Sequence, residues 1–466
     1  MTKRRILLKT EIFILIFAVL LGSVTFVMRN KNTAPPTVSS FYKEPINSLD
    51  VIFLGSSHML HALYPLQLYH DYGMASYNYS QYGQPFLLTY KSLKEVLKRQ
   101  KPKIVVIDIM TVSWLFKTNR QMALHNTVDG IPYPSKYFFI NDLAEVKDEV
   151  NLFELYFPMY LYHSKWNILQ KNDFSPKENY SKGITYGYNK FNGNKPNVYP
   201  IEYKTNLHIE MKNILDDIIN LTEAENISLI FTVMPYDKSY QNIDIDQKYY
   251  NDIYWLTRNK KNVDYINYFH FLDEVNFDFS SDLIDDDHLN YYGAQKITAH
   301  LGKYIKEHYD IPDRRLDPAY AKWNDDYRLY VQDNFAQELN AAKEPRKYSE
   351  LLASKKEVTD NTCILIVNML KGSKNRKYIQ SLGLDITGSN YIAILDSGKV
   401  VYQQSASDVP LIHEYKIGKL PVKLVSNAMG TSSIKIDGIE QIKNKPGVAI
   451  VIYDKLLKKV TSVRCL

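Results

Sequence analysis

The sequence has no concentrated block of basic or acidic residues. Its 466 residues include 57 Lys and Arg against 51 Asp and Glu, and the net charge of +6 is spread along the chain. This pattern argues against a nucleic-acid-binding protein, which would carry a basic patch. With 45% apolar and 23% charged residues the composition is that of a globular protein. The length predicts two or three domains.

Charged residues are also missing from an N-terminal run, residues 12–28, which reads IFILIFAVLLGSVTFVM. It has the minimum length for a membrane-spanning helix. The basic residues before it are Lys3, Arg4, Arg5 and Lys9. By the positive-inside rule they place a tail, residues 1–11, in the cytoplasm and the rest of the chain outside. No A-x-A-like cleavage site follows, so we predict a single-pass anchor rather than a cleaved signal peptide, followed by a polar linker at 29–45.

Short apolar runs alternate with amphipathic segments between residues 46 and 312. The predicted strands are 51–54, 75–79, 104–109, 229–233 and 263–268, and the predicted helices are 87–98, 206–221 and 291–308. This alternation predicts an α/β domain with a parallel sheet covered on both faces. A long aromatic-rich insertion, residues 110–205, interrupts the pattern. Such a segment is typical of a lid or substrate platform, or of an accessory helical layer.

The first predicted strand, VIFL, runs directly into Gly55-Ser56-Ser57. These are ordinary turn and helix-capping residues, but the carboxyl ends of parallel strands are also where such folds place their sites. A serine nucleophile requires a base, usually a histidine oriented by a carboxylate. Asp285 and His288 supply this pair in IDDDHLNYYGAQ, just before the last helix of the domain. In a doubly wound sheet that loop lies at the same edge as the serines.

A strand followed by Gly-x-Ser, and Asp-x-x-His before the last helix, resembles the SGNH, or GDSL-type, hydrolase family. The resemblance covers about residues 48–310 and implies a flavodoxin-like three-layer sandwich. It assigns Ser57 as the nucleophile, His288 as the general base and Asp285 as the orienting carboxylate. It also assigns the backbone N–H groups of Ser57 and Gly83 to an oxyanion hole. The family's Gly-x-Asn-Asp block is missing, because MTVSW follows IVVIDI, so a third oxyanion donor stays unassigned.

Gly-Ser-Ser behind an N-terminal anchor is similar to the membrane-bound D-alanyl transfer proteins of teichoic acid synthesis and to polysaccharide O-acetyltransferases of bacterial surfaces. The resemblance implies transfer of an acetyl or D-alanyl group to or from hydroxyls of a cell-surface glycan through an ester of Ser57. A carbohydrate esterase is the alternative, since water can replace the sugar hydroxyl. No metal or diffusible cofactor is implied. Synthesis would require a membrane-bound O-acyltransferase as the partner that exports the acyl group.

Two further interpretations stay open. The group Asp285, Asp286, Asp287, His288 and His58 contains ligands suited to zinc or manganese, although consecutive aspartates cannot all face one ion. Aspartates also cap helices, which accounts for one or two of the three. A degenerate SGNH domain that binds glycan without turning it over is the other alternative.

The C-terminal part changes character. Residues 313–360 are charged and predict a helical connector, whereas 361–466 alternate strands with glycine turns, including a hairpin at Asp396-Ser397-Gly398. Within this β-rich domain, SSIKIDG and PGVAIVIYD resemble the interleukin-like, PANDER-type lectin-like modules; a plain β-sandwich is the alternative. Both cysteines, Cys363 and Cys465, fall near its ends, and a disulfide between them outside the membrane is a hypothesis that the sequence leaves open.

Overall fold

A computed structural model describes residues 3–28, 37–114, 120–143, 151–170, 173–174, 180–201, 207–240, 243–354, 359–369, 377–385 and 387–466. The chain divides into two compact units, Met1–Asn324 and Asp325–Leu466.

The first unit is built on a parallel five-stranded sheet. Its strands are β1 (Val51–Leu54), β2 (Ser76–Asn78), β3 (Ile104–Asp108), β4 (Ser228–Val233) and β5 (Val263–Asn267), and their order is β2-β1-β3-β4-β5. Every residue of β1, β2 and β3 is buried, as expected for a sheet covered on both faces. The predicted parallel α/β arrangement is therefore confirmed. This order is common in doubly wound folds. The chain first adds β2 on one side of β1 and then adds β3, β4 and β5 on the other, so the strand order reverses between β1 and β3.

Helices at 86–97, 209–224 and 291–308 correspond to predicted helices, and the described residues of this unit form twelve α-helices in all. They are α1 (Lys3–Met28), α2 (Thr37–Phe41), α3 (Ser57–Leu60), α4 (Pro65–Tyr72), α5 (Phe86–Leu97), α6 (Arg120–Val128), α7 (Ser135–Asn141), α8 (Leu152–Tyr156), α9 (Met159–Tyr162), α10 (Ile209–Ala224), α11 (Ile243–Thr257) and α12 (Tyr291–His308), with 3₁₀ turns at Met110–Ser113, His163–Ile168, Tyr268–His270 and Pro318–Tyr320. The predicted stripe Ile297, Leu301 and Ile305 is the fully buried face of α12. The Thr298 hydroxyl, on the same helix, donates to the Ala62 carbonyl at 3.1 Å, which ties α12 to the segment after β1.

Helix α1 is long and apolar enough to cross a membrane, with a mean hydropathy of 2.5 over its most apolar 18 residues. It begins at Lys3 and so extends the predicted run, residues 12–28, through most of the predicted tail. The extension follows from composition, since Lys, Arg, Leu and Ile favour or tolerate a helix and neither Gly nor Pro interrupts them.

The second unit contains two antiparallel sheets. One has the order β12-β11-β10-β9 and the other β14-β13-β6-β7-β8. The strands are β6 (Thr362–Asn368), β7 (Asn390–Asp396), β8 (Lys399–Ala406), β9 (Leu411–Ile417), β10 (Leu420–Ser426), β11 (Ser433–Ile436), β12 (Ile439–Lys443), β13 (Val448–Asp454) and β14 (Lys459–Cys465). The predicted hairpin joins β7 to β8, with positive φ at both Ser397 (54°) and Gly398 (71°), as a type I′ turn requires. A separate β-rich C-terminal region is thus confirmed.

Part of the segment predicted as a connector, 313–360, contributes side chains from Phe335 to Leu352 to the core of the second unit. Its helices are α13 (Ala321–Ala341) and α14 (Pro345–Ser354), and a short helix α15 (Lys377–Gln380) follows β6. The buried side chains of Leu339 and Tyr348 belong to one cluster with Ile364 and Ile450 of the sheet. The helices therefore form a layer on that sheet, because their apolar faces need a partner surface.

The hypothesis of a disulfide is not supported by the structure. Cys363 and Cys465 are both free. They lie on opposite sides of β13, Cys363 beside Tyr453 and Cys465 beside Ala449. Four residues along a strand span about 14 Å, whereas a disulfide requires Cα atoms within about 7 Å. Nearness to the two ends of a domain does not bring two residues together when their strands are paired in this register.

Candidate functional site

The turn after β1 is held close to the end of β3. A Cβ atom at Gly55 would lie 2.7 Å from Cβ of Asp108 and 3.0 Å from Cβ of Met59. Only glycine fits this approach without displacing its neighbours. The turn therefore sits beside the end of β3, at the place where the chain reverses direction across the sheet.

The two serines of the turn have different roles in the backbone. Ser56 is the N-cap residue of α3, and its hydroxyl accepts a hydrogen bond from the His58 amide at 3.4 Å. Ser57 is the first residue of α3 and is 8% exposed. In the part of the chain that the structure describes, no hydrogen bond joins the Ser57 hydroxyl to His288. Ser56 is thus engaged in capping, whereas the Ser57 hydroxyl is not used to shape the turn.

The loop before α12 folds into a tight turn around the Asp285 carboxylate. The His288 amide donates to Asp285 Oδ1 at 2.8 Å, the Asp287 amide donates to the same oxygen at 3.2 Å, and the Ile284 amide donates to the His288 carbonyl at 2.9 Å. The same carboxylate lies 2.9 and 3.1 Å from Nδ1 of His288. The local fold therefore brings Asp285 and the imidazole together.

Asp287 is a second carboxylate on the same imidazole, and sequence reasoning gave it no such role. Its Oδ1 lies 2.7 Å from Nδ1 of His288, and its Oδ2 lies 3.7 Å from Nε2 of His58. Burial raises the pKa of Asp287, but the hydrogen bond to His288 and the positive charges of His288 and His58 outweigh it and hold the pKa well below its usual range. The signal in the sequence is an acidic residue directly before His288. Only the folded turn identifies Asp287, rather than its neighbour Asp286, as the residue that contacts the imidazole.

The two carboxylates set the charge of His288. Burial lowers the pKa of His288, but the hydrogen bonds and negative charges of Asp285 and Asp287 outweigh it and raise the pKa to about 9. The opposite ring nitrogen, Nε2, is buried and has no hydrogen-bond partner among the described residues. When His288 is neutral, its proton therefore stays on Nδ1, which faces the carboxylates, and Nε2 can accept a proton.

Helix α3 packs its histidines against His288. The His61 ring centre lies 4.8 Å from that of His288, and the His58 ring centre lies 5.6 Å away. Ser57 and His61 are one helical turn apart, joined by the His61 amide to Ser57 carbonyl bond of 3.0 Å, so they share a face of α3. Burial lowers the pKa of His61 to about 3, with the charge of His288 adding to the effect. His61 therefore stays neutral while His288 carries the proton.

The loop after β2 reaches the same edge. The Gln81 amide donates to the Gly55 carbonyl at 3.2 Å, and the Tyr82 hydroxyl lies 3.2 Å from Nε2 of His61. Gly83 follows directly, with a φ of 62° that favours glycine. The structure thus brings the loop that carries Gly83 to the turn that carries Ser57.

Buried acids surround His58 below this edge. Asp108 ends β3, and the pKa of its carboxyl is raised to about 6 by burial, against the opposing charge of His58. Asp246 of α11 behaves alike, its pKa raised to about 6 by burial. Both ring nitrogens of His58 are buried, and neither has a hydrogen-bond partner among the described residues. Asp108 is the last residue of β3, and an acid at the end of a buried apolar run is the signal in the sequence that points to it.

Asp285, Asp287 and His288 could also hold a metal ion, since one donor atom from each lies within 4.8 Å of the others.

No protein-family model matches this chain, and no curated protein matches it.

Proposed function

We propose that the first unit is an SGNH-type serine enzyme that transfers an acyl group to or from hydroxyls of a cell-surface glycan. The observation that carries the proposal is the state of His288. Its Nδ1 lies against two carboxylates, and its Nε2 is buried with no hydrogen-bond partner among the described residues. Its ring packs on the helix that begins with Ser57. This is the arrangement a general base needs beside a serine nucleophile.

In the proposed reaction, Nε2 of neutral His288 takes the proton of the Ser57 hydroxyl, and Oγ attacks the carbonyl carbon of an acyl ester. The amides of Ser57 and Gly83 face the oxyanion that forms. The protonated imidazole then gives its proton to the leaving alkoxide, which leaves the acyl group on Ser57. A glycan hydroxyl repeats the sequence in reverse and accepts the acyl group. When water takes this place, the same residues hydrolyse the ester.

The strand order supports the flavodoxin-like form of this proposal, with Ser57 following β1 and Asp108 ending β3 at the point where the order reverses. We further propose that α1 anchors the unit as a single-pass helix with a cytoplasmic N-terminus. The catalytic unit would then act outside a bacterial cell membrane, served by a membrane-bound O-acyltransferase that exports the acyl group. The two-sheet second unit would serve as a lectin-like accessory module for the glycan.

The test is covalent labelling of the full-length protein with a fluorophosphonate probe and turnover of a chromogenic acetyl ester. We expect Ser57→Ala to lose both. Ser56→Ala is the matched control and should keep labelling, because it removes the neighbouring hydroxyl, with its capping bond and its hydrogen bond to Asp108, and leaves the Ser57 hydroxyl in place. Labelling that survives Ser57→Ala would refute the assignment of the nucleophile.

A metal-dependent hydrolase is a second candidate, favoured by the grouping of Asp285, Asp287 and His288. It predicts ester turnover that is abolished by a chelator and restored by zinc or manganese. The serine mechanism predicts turnover unchanged by the chelator. Glycan binding without turnover or labelling in the wild type would instead favour the non-catalytic scaffold.

A further inference from the structure

An apolar pocket lies between α1 and the insertion, away from the candidate site. It has a volume of about 720 Å³, within the range of small-molecule sites. One wall is a single face of the C-terminal half of α1, formed by Ala18, Leu21, Gly22, Thr25 and Phe26. The other wall comes from residues within 129–141 and 156–158, including Ile131, Pro132 and Phe157. The pocket therefore opens along the very helix that is apolar enough to cross a membrane.

Four polar residues in the pocket wall already have polar partners, namely Asp129, Lys136, Asn141 and Tyr156. Lys136 Nζ lies 3.4 Å from Asp129 Oδ1, and Tyr162 donates to Asp129 Oδ2 at 3.1 Å. The Tyr156 hydroxyl donates to Asn141 Oδ1 at 2.9 Å. These groups need no polar ligand to satisfy them. The occupant that fits the remaining surface is a hydrocarbon chain.

The insertion also exposes a set of aromatic side chains beside the pocket, which we call the aromatic face. Its members are Tyr133, Tyr137, Phe138, Phe153, Phe157 and Tyr160, with exposures from 42% for Phe157 to 60% for Phe138. The ring centres of Phe153 and Phe157 are 5.0 Å apart, and those of Phe153 and Tyr160 are 5.7 Å apart, so these three rings form a continuous surface. Aromatic side chains of this kind concentrate at the interface between lipid and water.

We infer that the aromatic face lies in the membrane interface and that the pocket holds an acyl chain of a membrane lipid. The argument rests on continuity, because the pocket and the aromatic face extend the apolar surface of α1 onto the folded unit. It rests on the membrane span of α1 proposed above, but not on the serine chemistry. The lipid would hold the insertion, and with it the first unit, at the membrane surface.

The test uses the full chain reconstituted in vesicles of phosphatidylcholine that contain a photoactivatable diazirine in one acyl chain. After illumination, the lipid adducts are mapped by mass spectrometry. We expect adducts on α1 and on the segment 131–158. Gly22→Phe should remove the adducts on 131–158, because a Cβ at Gly22 meets no atom within 4 Å and the ring can fill the pocket. Leu20→Phe, on the opposite face of α1, is the matched control and should leave them.

Adducts on α1 with none on 131–158 would overturn the inference and leave the pocket to another occupant, such as a helix of a membrane partner. Adducts on 131–158 that persist in Gly22→Phe would overturn the pocket as the binding site. An absence of adducts on α1 itself would overturn the membrane span on which the inference rests. Fluorophosphonate labelling of Ser57 in the same vesicles reports separately on the proposed function.

Discussion

Replacing Asp287 with asparagine should move the pH dependence of Ser57 labelling. The pKa of His288 is raised from 6.5 to about 9, against the effect of burial, by two carboxylates. If each supplies at least half of the increase, removing one lowers the pKa by at least about 1, which corresponds to about 1.4 kcal/mol. The base acts only when neutral, so labelling rises with pH and reaches half its maximum near the pKa. In Asp287→Asn the midpoint should fall from about pH 9 to pH 8 or below.

The assay is the rate of fluorophosphonate labelling between pH 6 and 10. At pH 7 the neutral fraction of His288 increases about tenfold when its pKa falls by 1, so Asp287→Asn should label faster at neutral pH. Asp286→Asn is the matched control in the same turn and should keep the wild-type midpoint. Asp285→Asn should shift the midpoint in the same direction but also lower the maximal rate, because Asp285 accepts the backbone bonds that shape the turn. An unchanged midpoint in Asp287→Asn would refute the assignment of His288 as a base controlled by this carboxylate.

Three further outcomes are expected. Asp108→Asn should stabilise the protein at pH 8 by about 3 kcal/mol, since a carboxyl with its folded pKa raised from 3.8 to about 6 loses stability as pH rises through that interval; equal unfolding free energies of the two proteins at pH 4 and pH 8 would contradict this. Gly55→Ala should cost about 1–3 kcal/mol in chemical denaturation, because its Cβ would lie 2.7 Å from Cβ of Asp108; an unchanged midpoint of denaturation would show that β1 and β3 do not approach so closely. Thiol titration of denatured protein without reductant should find both Cys363 and Cys465 reactive, and a single or absent thiol would restore the disulfide.

The parallel sheet could be predicted mainly because β1, β3 and β4 are short apolar runs, whereas β2 and β5 carry a weaker signal. β1 has the predicted limits, and β3 ends one residue before the predicted end, at Asp108. β9 and β12 are harder to recognise in the sequence, because most of their residues are exposed or partly buried and form no continuous apolar run. Such edge-like strands depend on pairing partners that periodicity does not reveal.

The candidate site could be predicted only where it is local. The contact of Asp285 with His288 follows from three residues of spacing within one turn. The approach of Asp287 to His58, and of Asp108 to Gly55, joins segments that are distant in sequence and depends on the order of strands in the sheet. The disulfide hypothesis failed for the same reason, because the distance between the two cysteines depends on the register of β6, β13 and β14.

The distance along the chain between Ser57 and His288 has a consequence for the newly made protein. The two residues are 231 positions apart (288 − 57). At about 5–20 residues per second, the histidine leaves the ribosome roughly 12–46 s after the serine. Until α12 joins the sheet, the proposed nucleophile has no base and remains an ordinary hydroxyl. An activity probe would therefore label only molecules in which α12 has joined the sheet. The delay before labelling would measure how long the first unit takes to assemble.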